Sequence, residues 1–510
     1  MFRRLFHPRI VTGVAPLHVK QDPELPRYVG LELDCVATFK SYVSVHVSLD
    51  PLIHPSQYTE LDRVQSATMD FLRRLGAGLD SPTIPWKSVI VTFAVGQFAV
   101  ETYLQYRQYR VLKRTTVPKQ LKQEINQETY DKSQAYGRAK SKYTFVENVW
   151  NQVKNYAAIT YDVYPKLWAV AGLWMTSYFP SRFQGEITQS LIFVFTYSFA
   201  EMLLSLPFSY YHHFVLEESF GFNKQTVSLW VTDLLKSQAL GLAFGIPIGS
   251  AFLKIIQKTG DQFFLYLWLF TLSVQLFMVT IFPIVITPLF NKLTPLEPGS
   301  LKDRVEALAA RLKFPLGELQ IIDGSKRSAH SNAYFTGMPW KKKIVLYDTL
   351  IEKSSDKEVE AVLAHELGHW HMGHTTKLLG IASSHLFYVF ALFSVFINNR
   401  SLYEAFGFRT EKPIMIGFIL FNEVLSPTDS LVKLMMNIFT RKFEFQAGTY
   451  PFPSQATRLP ETNTACQTPL AAATATRPNS PLLSLSSRSR TFPPWTRIGC
   501  TRPTTTAIRS

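Results

Sequence analysis

Residues 263–284 read FFLYLWLFTLSVQLFMVTIFPI, a run that contains no charged side chain. An α-helix of this length is about 33 Å long, enough to cross the roughly 30 Å of hydrocarbon in a bilayer. Phe and Leu dominate the run, whereas a surface helix of a soluble protein usually carries polar residues on one face. The stretch therefore predicts a membrane-spanning helix, and it decides the fold class of the chain around it.

Six further apolar runs of about the same length occur along the chain, and Trp, Tyr and Lys flank several of them, as is typical of membrane interfaces. They comprise residues 88–104, 160–179, 187–206, 236–256, 378–397 and 414–438. Together the seven runs predict a membrane all-α fold with about seven transmembrane helices. The alternative is a large soluble protein in which the same runs are buried helices.

The composition of the chain favours the same class. Charged residues make up 18% of the 510 residues and aromatic residues 14%, which excludes a disordered protein. The net charge is +15, but the basic residues form short clusters beside apolar runs, such as residues 341–343, as at the cytosolic ends of membrane helices. We therefore expect the lipid bilayer as a partner and no nucleic acid.

The chain has three cysteines, Cys35, Cys466 and Cys500. The long interval between the first two contains no thiol, which excludes a disulfide framework and a cysteine-ligated metal there. A metal bound in this interval would therefore be held by histidine and carboxylate groups.

Several polar side chains interrupt the apolar runs. They are costly in contact with lipid, so they are expected to face the interior of a helix bundle or a water-filled cavity. They are Glu201, Lys236, Gln275, Asn422 and Glu423. Hydrogen bonds between helices and an internal polar chamber both account for them.

Residues 290–377 form a polar stretch between the fifth and sixth apolar runs. The stretch contains an amphipathic helix pattern (SLKDRVEALAARLKF), two strand-like segments (ELQIIDG and KKKIVLYDTL) and a final helix, DKEVEAVLAHELGHWHMGH, with Ser355 as its expected N-cap. This order predicts a small α+β domain inserted between transmembrane helices 5 and 6.

The final helix carries the motif H-E-x-x-H as His365, Glu366 and His369. The i, i+4 spacing places both imidazoles on one helical face, where they can share a tetrahedral zinc ion. Glu366 is then placed to act as a general base toward water at the metal. A helix with two surface histidines is the alternative, but Val359 and Leu363 indicate that this helix is apolar and buried.

A catalytic zinc ion usually has three protein ligands and one water. No further histidine follows the motif at the spacing H-x-x-G-x-x-H, so the third ligand is expected to be a carboxylate from a later helix, with Glu444 as the best candidate. An ion pair with Arg441 or Lys442 is the alternative for Glu444. His371 and His374 lie outside the i, i+4 pair and are interpreted as surface or supporting residues and not as ligands.

Six segments are shared with a known family. They are FVLEESFGFNKQT (214–226), PLFNKLTPLEPGSLK (288–302), IIDGSKRSAHSNAYFTG (321–337), KIVLYDTLI (343–351), HELGHW (365–370) and RKFEFQA (441–447). On these segments, residues 69–447 resemble the CAAX prenyl proteases of type 1, which are integral-membrane zinc endopeptidases of fungi and animals. The resemblance implies seven long helices around a water-filled chamber, with a zincin-like metalloprotease domain between helices 5 and 6.

The resemblance also implies a set of site residues. His365, His369 and Glu444 would bind one zinc ion per chain, with Glu366 as the general base. The segment with His330, Asn332 and Tyr334 would lie beside the cleft, where the backbone of the substrate pairs as an added strand.

The implied activity is removal of the C-terminal tripeptide from farnesylated CaaX proteins, together with an upstream cut in a lipidated pheromone precursor. The implied location is the endoplasmic reticulum membrane, which the chain would cross several times, and also the inner nuclear membrane. A broader membrane protease of protein quality control and an inactive truncated product are the alternatives.

The chain is accordingly divided into five segments. They are a non-family, disordered extension (1–68), transmembrane helices 1–5 (69–289), the metalloprotease domain (290–377), transmembrane helices 6 and 7 with the third ligand (378–447), and an aberrant low-complexity tail (448–510). Met69 is the expected start of the functional protein.

The tail departs from the family immediately after Ala447. The family continues FEFQAD, with an acid at the next position, whereas this chain has Gly448 followed by a Thr-, Ser- and Pro-rich segment. Permitted codons for residues 490–509, read in a shifted frame, give ENLSTMDPDWLYSAYHHSHP, which resembles the family's C-terminal signature. The hypothesis is that the tail is a translated intron or a frameshift, and we expect little activity from a chain that carries it.

Overall fold

The computed structural model describes residues 70–449, except 119–121, 123–124 and 339. The expectations of a disordered extension over 1–68 and of an aberrant tail beyond residue 449 lie outside the described residues.

Of the described residues, the helix over residues 70–79 and the residues from Asp80 onward belong to two different units.

The unit from Asp80 is mostly helical. Its first helices are α1 (Trp86–Leu112), α2 (Gln127–Thr160), α3 (Val163–Tyr178), α4 (Glu186–Tyr211), α5 (Val227–Thr259), α6 (Phe263–Ile281) and α7 (Thr287–Phe290). Its later helices are α8 (Ser300–Arg311), α9 (Asp348–Lys353), α10 (Asp356–His371), α11 (His374–Phe396), α12 (Arg400–Ala405) and α13 (Ile414–Thr449). A π-helical turn over His212–Glu217 follows α4 directly.

Five helices in the described part of the chain are long and apolar enough to cross a membrane. They are Glu186–Glu217, Val227–Thr259, Phe263–Phe290, His374–Phe396 and Ile414–Thr449. Each of them covers one of the apolar runs predicted from the sequence, except that the run 378–397 extends one residue past Phe396. The other two predicted runs form α1 and α3, and α3 has only 16 residues.

Helix α2 is a 34-residue helix that hydropathy does not reveal, because polar and charged residues make up much of it. Asn126 begins it by accepting a hydrogen bond from the backbone N–H of Thr129 at 2.8 Å. It packs between α1 and α3. Two of its polar side chains, Lys154 and Asn155, contact the isolated acids Glu201 and Glu423 of neighbouring helices.

A four-stranded sheet forms the inserted domain. Its strands are β1 (Leu293–Pro295), β2 (Leu316–Ile322), β3 (Ala333–Met338) and β4 (Lys341–Tyr347), in the order β1-β2-β4-β3. Strands β2 and β4 run parallel, and the other two pairs are antiparallel. Strand β3 is at an edge, and among the described strands it pairs with β4 alone.

The hairpin between β3 and β4 requires glycine at one position. Gly337 has φ +105°, and a Cβ there would lie 2.7 Å from the carbonyl oxygen of Lys341. Only a residue without a side chain fits this close approach.

Helices α8 and α10 pack with the sheet around one apolar core. Val305 of α8, Ile344 and Leu346 of β4, and Leu363 and Leu367 of α10 are buried in it. Ser355 caps α10 as predicted, since it forms a capping box with Glu358, whose carboxylate accepts the backbone N–H of Ser355 at 2.8 Å. The core and the cap fix the rotation of α10 and thus the direction in which its motif points.

Candidate metal centre

The two motif histidines meet a carboxylate from α13. Nε2 of His365 and Nε2 of His369 are 3.1 Å apart. Oε2 of Glu444 lies 3.4 Å from Nε2 of His365, and Oε1 of Glu444 lies 3.7 Å from Nε2 of His369. The three groups can each offer a ligand atom within 4.8 Å of the others. A hydrogen bond between the two rings would also account for the 3.1 Å contact, but the convergence of a carboxylate on both nitrogens favours a shared cation.

These distances fit a tetrahedral metal ion. Bonds of about 2.0–2.1 Å at tetrahedral angles separate neighbouring ligand atoms by about 3.4 Å, close to the three distances above. The carboxylate of Glu444 contacts the two imidazoles, and among the described residues it forms no ion pair with Arg441 or Lys442. The geometry thus favours the ligand interpretation of Glu444 over the ion-pair alternative.

Glu366 lies beside this group and is only 5% exposed. Burial and, to a smaller extent, the negative charge of Glu444 raise the pKa of Glu366 to about 8. Its Oε1 has no hydrogen-bond partner among the described residues. A buried carboxylate oxygen without a partner is costly, so the arrangement fits a site that also holds a water molecule and a cation.

His374 is buried and directed toward the centre, whereas His371 is exposed. Nδ1 of His374 lies 3.0 Å from Nδ1 of His369. Gly373, with φ +65°, allows the tight turn that returns the chain from α10 to His374. Of the two interpretations offered for His374, burial excludes a surface residue and leaves a supporting one.

The three predicted substrate residues lie on or just before strand β3. The carbonyl oxygen of Asn332 accepts the backbone N–H of Tyr347 at 3.0 Å, and Tyr334 pairs with Val345 of β4. Burial raises the pKa of Tyr334 to about 12. Strand β3 packs against α10, so Tyr334 belongs to an edge strand next to the motif helix.

His330 belongs to a cluster that the sequence did not predict. Its Nε2 lies 3.3 Å from Glu217, which accepts a hydrogen bond from Tyr136 at 2.6 Å, and its ring stacks on Phe222 at 4.6 Å. Glu217 is 7% exposed and lies in the π-helical turn after α4. The position of Glu217 in the segment FVLEESFGFNKQT could have indicated such a cluster, since a buried acid needs polar partners.

The polar side chains of the apolar runs all have protein partners. Glu201 and Glu423 contact Lys154 and Asn155 of α2, at 2.5 and 3.5 Å. Lys236 donates a hydrogen bond to the backbone oxygen of Leu289, and Asn422 donates one to the backbone oxygen of Phe418. The side-chain oxygen of Gln275 accepts a hydrogen bond from the hydroxyl of Ser383. Hydrogen bonds and ion pairs within the bundle therefore account for each of them.

Membrane-spanning helices combined with a convergent group of two histidines and a glutamate on an H-E-x-x-H helix are features of one class of protein, the integral-membrane metalloproteases. Residues 108–292 match the family model for the CAAX prenyl protease N-terminal region with five membrane helices, and residues 295–460 match peptidase family M48. The chain belongs to the CAAX prenyl protease 1 family of M48 metallopeptidases. It is a multi-pass membrane protein, as both the family model and its own five apolar helices indicate.

Individual relatives agree with this assignment. CAAX prenyl protease 1 of Saccharomyces cerevisiae is 45% identical over 389 residues, which cover 73% of this chain and 86% of that protein. The CAAX prenyl protease 1 homolog of Homo sapiens is 37% identical over 400 residues, covering 71% and 84%. The crystal structure of Ste24p from S. mikatae superposes with a TM-score of 0.69 at 44% identity, over 72% of this chain and 88% of that one. The chain therefore has the Ste24p fold.

Proposed function

We propose that the chain is a zinc-dependent endopeptidase that removes the C-terminal tripeptide from farnesylated CaaX proteins and leaves a prenyl-cysteine end. An upstream cut in a lipidated pheromone precursor belongs to the same proposal. The names of the relatives support this substrate class, since the S. cerevisiae and human proteins are both CAAX prenyl proteases.

One observation carries the proposal. The ligand atoms of His365, His369 and Glu444 converge within 4.8 Å, next to the buried carboxylate of Glu366. Two imidazole nitrogens and one carboxylate oxygen are a donor set used by catalytic zinc, which keeps its fourth position open for water. We therefore assign these three residues as the ligands of one zinc ion per chain.

When bound, zinc supplies Lewis-acid chemistry, because it lowers the pKa of water toward 7 and polarises a peptide carbonyl. Glu366 takes up the proton that the attacking water loses and then donates it to the departing amine. Burial raises the pKa of Glu366 to about 8 in the metal-free chain, and a bound cation would lower it again, so that the carboxylate can accept the proton and release it. Because Glu366 is almost completely buried, bulk water does not compete for that proton.

Strand β3 is the proposed docking edge for the substrate. An extended peptide adds to an open sheet edge through backbone hydrogen bonds, and its side chains occupy pockets along that edge. Tyr334 lies on β3, and His330 and Asn332 lie just before it. Because β3 packs against α10, a peptide on this edge would run beside the metal ligands, and we propose that these three residues contact it.

A membrane location suits a substrate that has both a lipid and a peptide part. The prenyl group can remain in an apolar environment while the peptide enters a polar chamber between the helices. We propose the endoplasmic reticulum membrane, and also the inner nuclear membrane, as the location.

The test compares two peptides that differ only in the farnesyl group. The full chain, purified in detergent, is expected to release the tripeptide from the farnesylated peptide only slowly, because of its tail, and to lose this low activity with a chelator or in Glu366→Gln. Equal cleavage of both peptides would instead indicate a broader quality-control protease. Failure to cleave either peptide would indicate an inactive product.

A further inference from the structure

His369 has a hydrogen-bonding partner from outside its own helix. Its Nδ1 lies 3.0 Å from Nδ1 of His374, and Nε2 of His374 lies 3.1 Å from Oε1 of Gln446. His374 is the first residue of α11, Gln446 belongs to α13, and His374 is only 2% exposed. Three side chains in series thus connect α10, α11 and α13.

The direction of both hydrogen bonds follows from the orientation of His369. This residue directs Nε2 at His365 and Glu444, so as a metal ligand it carries no proton on Nε2 and must carry one on Nδ1. Nδ1–H then donates to Nδ1 of His374, which leaves the proton of His374 on Nε2. That proton is donated to the amide oxygen of Gln446. The opposite direction would place a proton on the metal-facing nitrogen of His369.

The ring of His374 is also held from the side. It stacks on Phe443 at 4.2 Å, with an angle of 12° between the two planes. Phe443 is itself buried, and Nζ of Lys377 lies 5.9 Å from the centre of its ring. An imidazole that is buried, stacked and bonded at both nitrogens cannot rotate, so it can hold the plane of the His369 ring.

We propose that His374 and Gln446 are positioning residues that set the tautomer and ring orientation of His369, and thereby the affinity for the metal. The inference rests on the proposed function in taking His369 as a ligand. Groups that orient a ligating histidine typically contribute 10–100-fold to metal affinity. Glu444 and Gln446 lie on the same turn of α13. The hydrogen bonds from His369 through His374 to Gln446 therefore also connect α13, which carries Glu444, to α10, which carries His369.

The test is the zinc affinity of the full chain in detergent, measured by competition with a chromogenic chelator. His374→Phe keeps a flat ring against Phe443 but removes the acceptor, and we expect roughly 10–100-fold weaker binding. His374→Asn retains a carbonyl oxygen near the position of Nδ1 and should recover most of this loss. Gln446→Leu should weaken binding less, and Gln446→Glu, which keeps an acceptor, should not.

The matched control is His385→Phe. His385 is on the same helix, α11, but its Nε2 lies 3.5 Å from Asp429 and not at the centre. We expect this variant to bind zinc like the wild type. Thermal unfolding of every variant distinguishes loss of the fold from loss of the positioning group. If His374→Phe does not fold, the comparison of Gln446→Leu with Gln446→Glu tests the same hydrogen-bonded connection.

Two results overturn the inference alone. The first is a wild type that binds zinc and a folded His374→Phe variant that binds it equally well. The second is a His374→Asn variant that is folded and as weak as His374→Phe. A wild type that binds no zinc would overturn the proposed function and the inference together.

Discussion

Two helices build the candidate metal centre, and they do so in different ways. Helix α10 carries His365 and His369 on one face, because a spacing of four residues brings side chains together in any helix, and Glu366 is the residue directly after His365. Helix α13 supplies Glu444 from a distant part of the chain, and only the packing of the bundle brings it within 3.7 Å of the imidazoles. The chemistry of the motif is local, whereas completion of the ligand set is a property of the folded bundle.

The surroundings of the two helices differ as well. Val359, Leu363 and Leu367 of α10 are at most 1% exposed, since the sheet and α8 cover them. On α13, Leu431 and Met435 are more than half exposed, as is expected of a surface that faces lipid. A change of Glu366 on α10 should therefore affect chemistry at an intact centre, and a change of Glu444 at the end of α13 should affect whether the centre assembles.

The largest effect is expected from Glu366→Gln. The amide cannot take up the proton of the attacking water, so kcat should fall by at least about 10²–10⁴-fold. The zinc content should be unchanged, because Glu366 is not a ligand. The measurement is turnover of the farnesylated peptide together with metal analysis. Retained turnover at normal zinc content would exclude Glu366 as the general base.

Glu444→Gln addresses the other helix. Loss of the charged third ligand should weaken zinc binding by roughly 100-fold or more and should remove activity at limiting zinc. Glu404→Gln is the control, because Glu404 pairs with Arg400 on α12, and it should behave like the wild type. A Glu444→Gln variant that keeps a full complement of tightly held zinc would contradict the ligand assignment.

Removal of the metal should reveal a pH dependence of stability. The pKa of Glu366 in the folded chain is about 8, above its value in the unfolded chain, so the folded state binds the proton more tightly. The resulting stabilisation is complete below the unfolded pKa of about 4.3 and is lost as the pH rises through 8. The thermal midpoint of the chelated protein should therefore fall between about pH 5 and pH 8.

The same midpoint in Glu366→Gln should vary less with pH over this interval, because the amide does not titrate. The loss in the wild type is limited to about 1.4 kcal/mol per pH unit from this one group. Identical pH profiles for the two chelated proteins would show that Glu366 does not have a raised pKa.

The smallest effect is expected from Gly448→Asp. Residue 448 lies one turn after Glu444 on α13, so an aspartate there can reach the same face and accept a hydrogen bond from an imidazole N–H. We expect zinc affinity and turnover to rise by up to about 10-fold. The comparison requires only the one substitution in the full chain, and unchanged or weaker zinc binding would contradict it.

Much of the architecture follows from local patterns. The apolar runs 187–206, 236–256, 263–284, 378–397 and 414–438 each predict a helix, because a membrane span must be apolar along its whole length. The observed helices cover all of these residues except Ile397. The helix around the motif and its cap at Ser355 follow from periodicity and from the Ser-x-x-Glu pattern.

The features that the sequence pattern did not predict depend on tertiary contacts. Helix α2 has no apolar run, and the contact of its Lys154 with Glu201 of a neighbouring helix forms only in the folded bundle. The contact of His374 with His369 requires the turn at Gly373, and the contact of Glu217 with His330 joins distant segments. Neither contact has a fixed spacing, so periodicity carries no signal of them.

The central claim is that α10 and the end of α13 together hold one zinc ion. X-ray absorption at the zinc edge of the purified full chain tests it most directly. The account predicts one zinc per chain with a first shell of nitrogen and oxygen at about 2.0–2.2 Å and a contribution from two imidazole rings. Zinc well below one equivalent, or a sulfur shell at about 2.3 Å, would contradict it.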